Sequence, residues 1–457
     1  METEKIADNA GSSLTSMQGK ATKFRWVVLV LIFLVYTVIT ADRANIGVAL
    51  PFLRKEFMMS NTQAGAIASI FLFAYAVAMM PAGYFCSKLG VRRALSLGLL
   101  GTSLFTSFIG TAASVLMLKV FRFGLGVAEA PVAIGIPTTI NNWFPPQEKG
   151  TAAGIYFAAA KFGPVLVPPI CGLIITLAGW RQIFFLFAIP GVILALAWYL
   201  LVKNDPSDSQ FCSPAEVAYI RSSISIVQRK AAGKTYSLQW LDTLIRARKS
   251  TPIDSTSRML RSWDIWGSTL GYFFILGIVN VILAWIPTYL MLVKHFSVMK
   301  MGLVAATPWV GAVLGNMLGG WFSDRIINKR RKPLMLLTAL STAGMMYMLI
   351  HSSDDVFLLG MLLLATGILL NLGYSGFAVY PMGLTTKKQY PIAFSFTSMG
   401  GQLGGSCGPL IAGVLLDHYG WDAVFIFLAL SAALCFLVLL TITEPIEDSP
   451  NTVLGGS

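Results

Sequence analysis

Asp42 and Arg43 stand side by side in one apolar stretch, residues 24–53, and Arg122 and Glu129 stand seven apart in another. A carboxylate can take up a proton, and a guanidinium can hold a carboxylate through paired hydrogen bonds. Two of each in a low-dielectric setting would let proton binding and anion binding act on one another. A fifth ionisable residue, Lys161, lies among Ala158, Ala159, Ala160, Gly163 and Pro164 in a further apolar run. Charge at such depth costs about 3 kcal/mol on insertion scales and roughly 10 kcal/mol or more in simulations of isolated helices. A chain keeps it where it pairs or works.

The elements that must hold these residues are hydrophobic helices. Of 457 residues, 55% are hydrophobic and 12% charged, against about 25% charged in soluble domains. A membrane protein follows. The net charge of +13 is spread over short loops between apolar runs, which is the pattern of cytoplasmic loops and argues against a nucleic-acid partner. The five cysteines, at 86, 171, 212, 407 and 435, show neither metal spacing nor a disulfide framework and read as small buried hydrophobes. No nucleophile–base set, metal cluster or nucleotide loop is found, so neither an enzyme nor a cofactor is expected.

A helix crosses the hydrocarbon core with about 20 residues. Suitable runs fall near 25–52, 62–86, 92–112, 114–140, 150–176 and 180–202, then near 265–292, 299–323, 333–351, 355–381, 389–416 and 422–442. The expectation is an all-α integral membrane fold, twelve transmembrane helices in two six-helix halves, 24–202 and 265–445. Gly83-Tyr-Phe-Cys-Ser-Lys88-Leu-Gly90-Val-Arg92-Arg93 follows the second run, and Gly320-Trp-Phe-Ser-Asp324-Arg325 follows the eighth. A shared glycine–aromatic–Phe pattern ending in a cation, at matching places, marks an internal repeat.

Loop charge sets the expected sidedness. Lys88, Arg92 and Arg93, then Arg325 and Lys329 to Lys332, then Lys387 and Lys388, lie in alternate turns, and segment 203–264 holds ten Lys or Arg. By the positive-inside rule these turns and both termini face the cytoplasm, with Arg54 and Lys55 a local exception. Residues 1–23 lack an apolar signal-peptide core and read as a disordered cytoplasmic tail, and 446–457 as a second tail. Within the linker 203–264, Ser213, Pro214 and Glu216 are the start signals of a short amphipathic helix over 215–226.

These features resemble the major facilitator superfamily over residues 24–445. Thr40-Ala-Asp42-Arg43-Ala44-Asn45 and Arg122-Phe-Gly-Leu-Gly126-Val-Ala-Glu129-Ala-Pro131 are similar to its anion:cation symporter branch. That branch includes hexuronate, galactonate, glucarate, tartrate and phthalate permeases and sialin. The resemblance implies Arg43 and Arg122 as sites for the substrate carboxylate, Asp42 and Glu129 as proton-coupling sites, and Tyr75 as a residue near the substrate. It also implies Lys88, Arg92, Asp324 and Arg325 as gating residues of the loop motif. Two positions depart from the pattern: Ser87 replaces an acid of that motif, and Lys161 stands where galactonate-type carriers have a neutral amide.

The residues themselves leave alternatives open. Arg122 and Glu129 share a helix face within about 20° and either tie helices together, pairing with each other or with Asp42 and Arg43, or serve a ligand. Lys161 cannot snorkel to an interface; it either pairs with Asp42 or Glu129 or holds a second anionic group. The second half offers neutral polar groups, of which Ser375 and Ser398 are the candidate ligands, alongside Asn280, Asn316, Asn371, Tyr374, Tyr380 and Gln402. Gly124, Gly126 and the glycines of 400–405 read as packing positions. Three cations against two acids sum to +1, and protonating both acids gives +3, which favours an anion. The expectation is a monomeric, inner-membrane, proton-coupled symporter importing a small carboxylate, a sugar acid or dicarboxylate, by alternating access. A facilitator, exchanger or exporter of another organic solute is the alternative, and a non-transporting receptor a distant third.

Overall fold

The computed structural model describes residues 22–145, 147–221, 242–243, 245–249, 251–327, 330–386 and 389–446. The first half consists of α1 (Phe24–Glu56), α2 and α3 (61–89 and 91–111), α4 (Val115–Trp143), α5 (Lys149–Ala178) and α6 (Arg181–Leu201). The second consists of α7 (Trp263–Leu292), α8 (Val298–Arg325), α9 (Lys332–Ile350), α10 (Val356–Leu372 continued by Tyr374–Leu384), α11 (Tyr390–His418) and α12 (Trp421–Thr441). Eleven helical stretches among the described residues are long and apolar enough to cross a membrane. The 29-residue α4, which carries Arg122 and Glu129, makes the twelfth crossing.

Local chemistry sets the helix ends. Ser60, Ser114 and Asp355 cap α2, α4 and α10, their side-chain oxygens accepting the amides of Gln63, Met117 and Leu358. Gly90, at a φ of 75°, separates α2 from α3 in a conformation that a residue with a Cβ resists. The helices are apolar on their outer faces as well as inside. On α6, Leu186, Ile189, Ile193, Leu196 and Leu200 point outward while Phe184, Ala195 and Trp198 are buried. Such a surface is at rest in lipid, not in water.

The halves meet through α1 with α7, α2 with α11, and α5 with α8. Their backbones approach most closely at one end. Gly47 lies against the Leu283 carbonyl, Gly65 against that of Pro409, Gly413 against that of Asn61, and Gly302 against that of Pro168; a Cβ would sit 2.2–2.6 Å from each oxygen. These contacts lie near the turns 57–60, 179–180, 293–297 and 419–420, the far end. The opposite, termini end carries Thr22, the linker and Glu444–Ile446.

The linker is fastened to both halves. A helix forms over Pro214–Arg221, with Ser213 as its cap; the rest of the expected 215–226 lies outside the described residues. Glu216 is fully buried and accepts from the amides of Phe24 and Arg25 (3.0 and 3.1 Å), the Thr22 hydroxyl (2.6 Å) and the Arg25 guanidinium (3.0 Å). Arg25 also donates to Glu148 at 2.7 Å. Towards the second half, Ala247–Lys249 forms a short parallel pair with Glu444–Ile446, a local exception to the all-helical expectation. Glu444 accepts the amides of Arg331 and Lys332 at 2.7 and 2.8 Å, capping α9. Nearly all of the expected tails 1–23 and 446–457 lies outside the described residues.

The Arg25 guanidinium holds the Glu148 carboxyl below its usual range. Burial works against the charge on Glu216, yet the Thr22 hydroxyl and the two amides outweigh it and its carboxyl is also depressed. Carboxyls lowered by folding stabilise above their unfolded value of about 4.3 and lose that contribution as pH falls through the folded value. Thermal unfolding in detergent, followed by tryptophan fluorescence, is therefore expected to weaken below about pH 4.3. Glu216→Gln should lower the midpoint at neutral pH by the equivalent of about 2 kcal/mol and flatten that acid-side fall.

Candidate functional site

Helices α1, α2 and α4 bring Arg43, Phe71, Tyr75, Arg122 and Glu129 together inside the first half. Gly126 makes this possible, since a Cβ there would lie 2.3 Å from the Phe71 carbonyl oxygen. Arg43 donates through Nε and Nη2 to a single oxygen of Glu129. Its guanidinium lies 4.8 Å from the ring centre of Tyr75 and 5.8 Å from that of Phe71. Arg122 lies 4.7 Å from the same Phe71 ring, so one aromatic side chain touches both guanidiniums.

Arg122 is 1% exposed, and its Nε reaches the Ile67 carbonyl at 3.4 Å. Its Nη1 has no hydrogen-bond partner among the described residues, and neither has the second oxygen of Glu129. The pairing of Arg122 with Glu129 that their spacing allows is thus not the one formed; Glu129 turns to Arg43 on α1. Asp42 is buried, accepts from Asn45 at 3.2 Å, and stands in electrostatic reach of Arg122 and Glu129. It does not line the cavity between the halves.

That cavity is lined from the first half by Arg43, Phe71 and Arg122, and from the second by Asn280, Leu283 and Pro409. The close approaches of α7 and α11 shut it from the far end. Lys161, on α5, faces the second half too: its Nζ donates to Asn371 Oδ1 at 3.1 Å and lies 4.1 Å from the centre of the Tyr374 ring. Asn316 donates to the same Asn371 oxygen at 3.4 Å, and the hydroxyls of Tyr374 and Tyr272 are 3.1 Å apart. The partners of Lys161 are therefore neutral, and the alternative of an ion pair with Asp42 or Glu129 is not realised. Chemically the arrangement is one carboxylate–guanidinium pair, one guanidinium with spare donors, and one ammonium on neutral acceptors.

The remaining candidates lie apart. Ser375 and Ser398 are half-buried on α10 and α11 and do not line this cavity. Lys88 lies over its own helix's Tyr84, while Arg92 donates to the Tyr199 carbonyl at 2.6 Å and stacks on that ring, both inside the first half. Arg325 is exposed at the end of α8, and the Asp324 side chain lies outside the described residues. Phe71 was not legible as a site residue, although it stands one helical turn before Tyr75 on the same face. Of the neutral polar groups of the second half, it is Asn280 that lines the cavity and Asn371 that meets Lys161, whereas Ser375 and Ser398 were the favoured candidates.

The family model described as Major Facilitator Superfamily matches residues 32–382 and 301–455. The chain is 26% identical to the "Probable galactarate/D-glucarate transporter" of Bacillus subtilis (strain 168), over 94% of each protein. It is 27% identical to the D-galactonate transporter of Escherichia coli O6:H1, over 92% of this chain and 96% of that one. The "Probable sulfoacetate transporter" of Cupriavidus necator is 26% identical over 93% and 97%. Among solved structures, a bacterial homolog to the human lysosomal transporter Spinster, inward-facing and unoccupied, superposes with a TM-score of 0.73 at 18% identity, covering 92% of this chain and 97% of that one. A D-xylose-proton symporter gives 0.71 at 16% identity, covering 92% and 98%. These two likenesses speak to the fold.

A residue kept for a ligand and a residue kept for structure differ in what their removal does. Arg122→Met replaces a poorly bonded buried cation by an apolar chain of similar length, which removes the cost of keeping that charge away from water. Its melting temperature without ligand is expected to stay within a few degrees of wild type, while the rise on adding organic anions disappears. A collapse of stability with the anion response intact would make Arg122 a structural tie.

Proposed function

Since the chain belongs to the Major Facilitator Superfamily, we propose that it is a proton-coupled symporter importing a small organic anion, a sugar acid or dicarboxylate, by alternating access. That it is a membrane transporter and not an enzyme follows from the family and from its transporter relatives. The observation that carries the finer reading is the uneven charge balance of the chamber. Glu129 occupies Arg43, and Arg122 keeps a buried donor without a partner.

A carboxylate is the group that such a guanidinium accepts best. A proton on Glu129 removes the negative partner of Arg43 and frees its donors for the substrate. A proton on Asp42 likewise leaves Arg122 less compensated. Anion and proton then each favour the binding of the other, and the coupling is reciprocal. The named substrates of the relatives, galactarate, glucarate, galactonate and sulfoacetate, are all small organic anions, which supports the class. Galactarate and glucarate carry two carboxylates, and Lys161 on its neutral cradle is suited to the second.

The basic turns support a cytoplasmic termini end, in a cell inner membrane. The far end, where the halves touch, is then the outer side, and the chamber is closed to it. One chain supplies both walls of the chamber, so a monomer suffices.

Proteoliposomes with an inward proton gradient test the reading. Wild type should concentrate galactarate or glucarate above equilibrium. Glu129→Gln should lose that accumulation while still exchanging substrate across the membrane; a variant that still concentrates substrate refutes the role given to Glu129. Lys161→Gln is expected to depress diacid uptake at least about tenfold more than monoacid uptake, the scale of one charge-assisted hydrogen bond. Equal losses would remove Lys161 from substrate recognition.

A further inference from the structure

Asp417, in the last turn of α11, reaches out of its own half. One carboxylate oxygen accepts the Asn61 amide at 2.8 Å, and the other accepts the Thr62 amide at 2.8 Å and the Thr62 hydroxyl at 2.6 Å. These are opening amides of α2, which have no acceptor within their own helix. The positive end of the helix favours a carboxylate there. Ser60, the cap that α2 carries itself, answers Gln63 instead. The start of α2 is thus capped jointly, by its own half and by the other.

Below Asp417 the same two helices run antiparallel in contact about every fourth residue. Gly413 meets the Asn61 carbonyl, the Pro409 carbonyl meets Gly65, and the Ser406 hydroxyl donates to the Ser69 carbonyl at 3.1 Å. Leu72, one turn below Ser69 on α2, and Pro409 of α11 line the cavity that holds Arg43 and Arg122. The seam therefore runs from the Asp417 cap down to the chamber. Lipid gives apolar helix contacts little preference over helix–lipid contacts, so hydrogen bonds weigh heavily in which surfaces stay together. Asp417 supplies three, all to an ionised acceptor. Arg54 of α1 is the cation in electrostatic reach of this carboxylate.

We propose that Asp417 is the latch of the far end, a positioning residue that holds the two halves in the arrangement seen here. Its three bonds break whenever the chamber opens on that side. It touches neither the acids nor the cations of the chamber, so it acts on the balance between conformations.

Hydrogen–deuterium exchange of the full chain in detergent tests this without substrate or proton gradient, and so independently of the transport reading. Asp417→Asn keeps the size of the side chain and removes its charge. Amides of 61–72 and 405–417 should exchange about tenfold faster, and those of 83–92 and 316–323 at the termini end should become slower, because opening one end closes the other. Thr62→Val, which deletes the hydroxyl bond alone, should give a smaller shift of the same two signs, and it stands in if Asp417→Asn does not fold. Faster exchange confined to 61–65, with no protection gained at the termini end, reduces Asp417 to a local helix cap and overturns the proposal. Unchanged exchange at both ends overturns it as well.

Discussion

A guanidinium buried in the middle of a bilayer protein has to meet negative charge, and the first half buries more cation than it can answer. Glu129 spends one oxygen on both donors of Arg43. Arg122 is left with the face of Phe71, a long contact to the Ile67 carbonyl and the more distant fields of Asp42 and Glu129. A desolvated cation–π contact contributes about 2 kcal/mol, which softens the isolation of Arg122 without replacing an anion. Among the described residues one donor of Arg122 thus stays unanswered, and on the proposed function the substrate anion is what meets it. Every other feature of the site reads more simply once that shortage is granted.

The close approaches of the halves shut the far end of this arrangement. Contacts within each half are broad and apolar. Contacts between halves combine buried apolar side chains, such as Ile67 and Val167 with Ile282 and Met301, with close backbone approaches at Gly47, Gly65, Gly302 and Gly413 and polar links at Asp417 and Ser406. The linker follows the same division, since Glu216 ties its first part to α1 and the pairing with Glu444–Ile446 ties its last part to the second half. Each half is thereby closed on itself.

What the sequence made legible was whatever depends on neighbours along the chain. The twelve apolar runs, the repeated turn after α2 and α8, and the cap at Ser213 are local patterns, and the structure places helices at all of them. Gly90 lay in the expected turn, and only its positive φ and the Asn204 side chain packed beside it explain why glycine sits there. The break of α10 at Gly373 was hidden, because the run 355–381 is apolar on both sides of it; the Thr338 hydroxyl of α9, a tertiary partner, accepts the Gly373 amide. Glu216 carried the spacing of a capping box, yet the start of α1 lies closer and takes its carboxylate. The strand pair was equally out of reach, as three basic and small residues show no alternation. For the site, residue types and depth were readable, but the partner of Glu129 was not. Seven-residue spacing puts Arg122 on the same face, and only the approach of α1 decides that Arg43 arrives first.

Lys161 carries the argument one step further. Had it paired with Glu129, Arg43 would stand free and the shortage of negative charge would lie wholly in the first half. Held instead by Asn371 and Tyr374 of α10, it sets a cation against the second half while Arg43 and Arg122 stay with the first. Neutral acceptors place the ammonium without compensating its charge, so it keeps an attraction for an anion. An anion with one charged end can satisfy the guanidiniums and leave Lys161 as it is. An anion with two charged ends draws on cations held against different halves, and its binding energy then depends on how those halves stand. A ligand shifts a conformational balance only by the difference in its affinity for the two states. On the proposed function, a diacid therefore has a purchase on the rocking motion that a monoacid of the same length lacks.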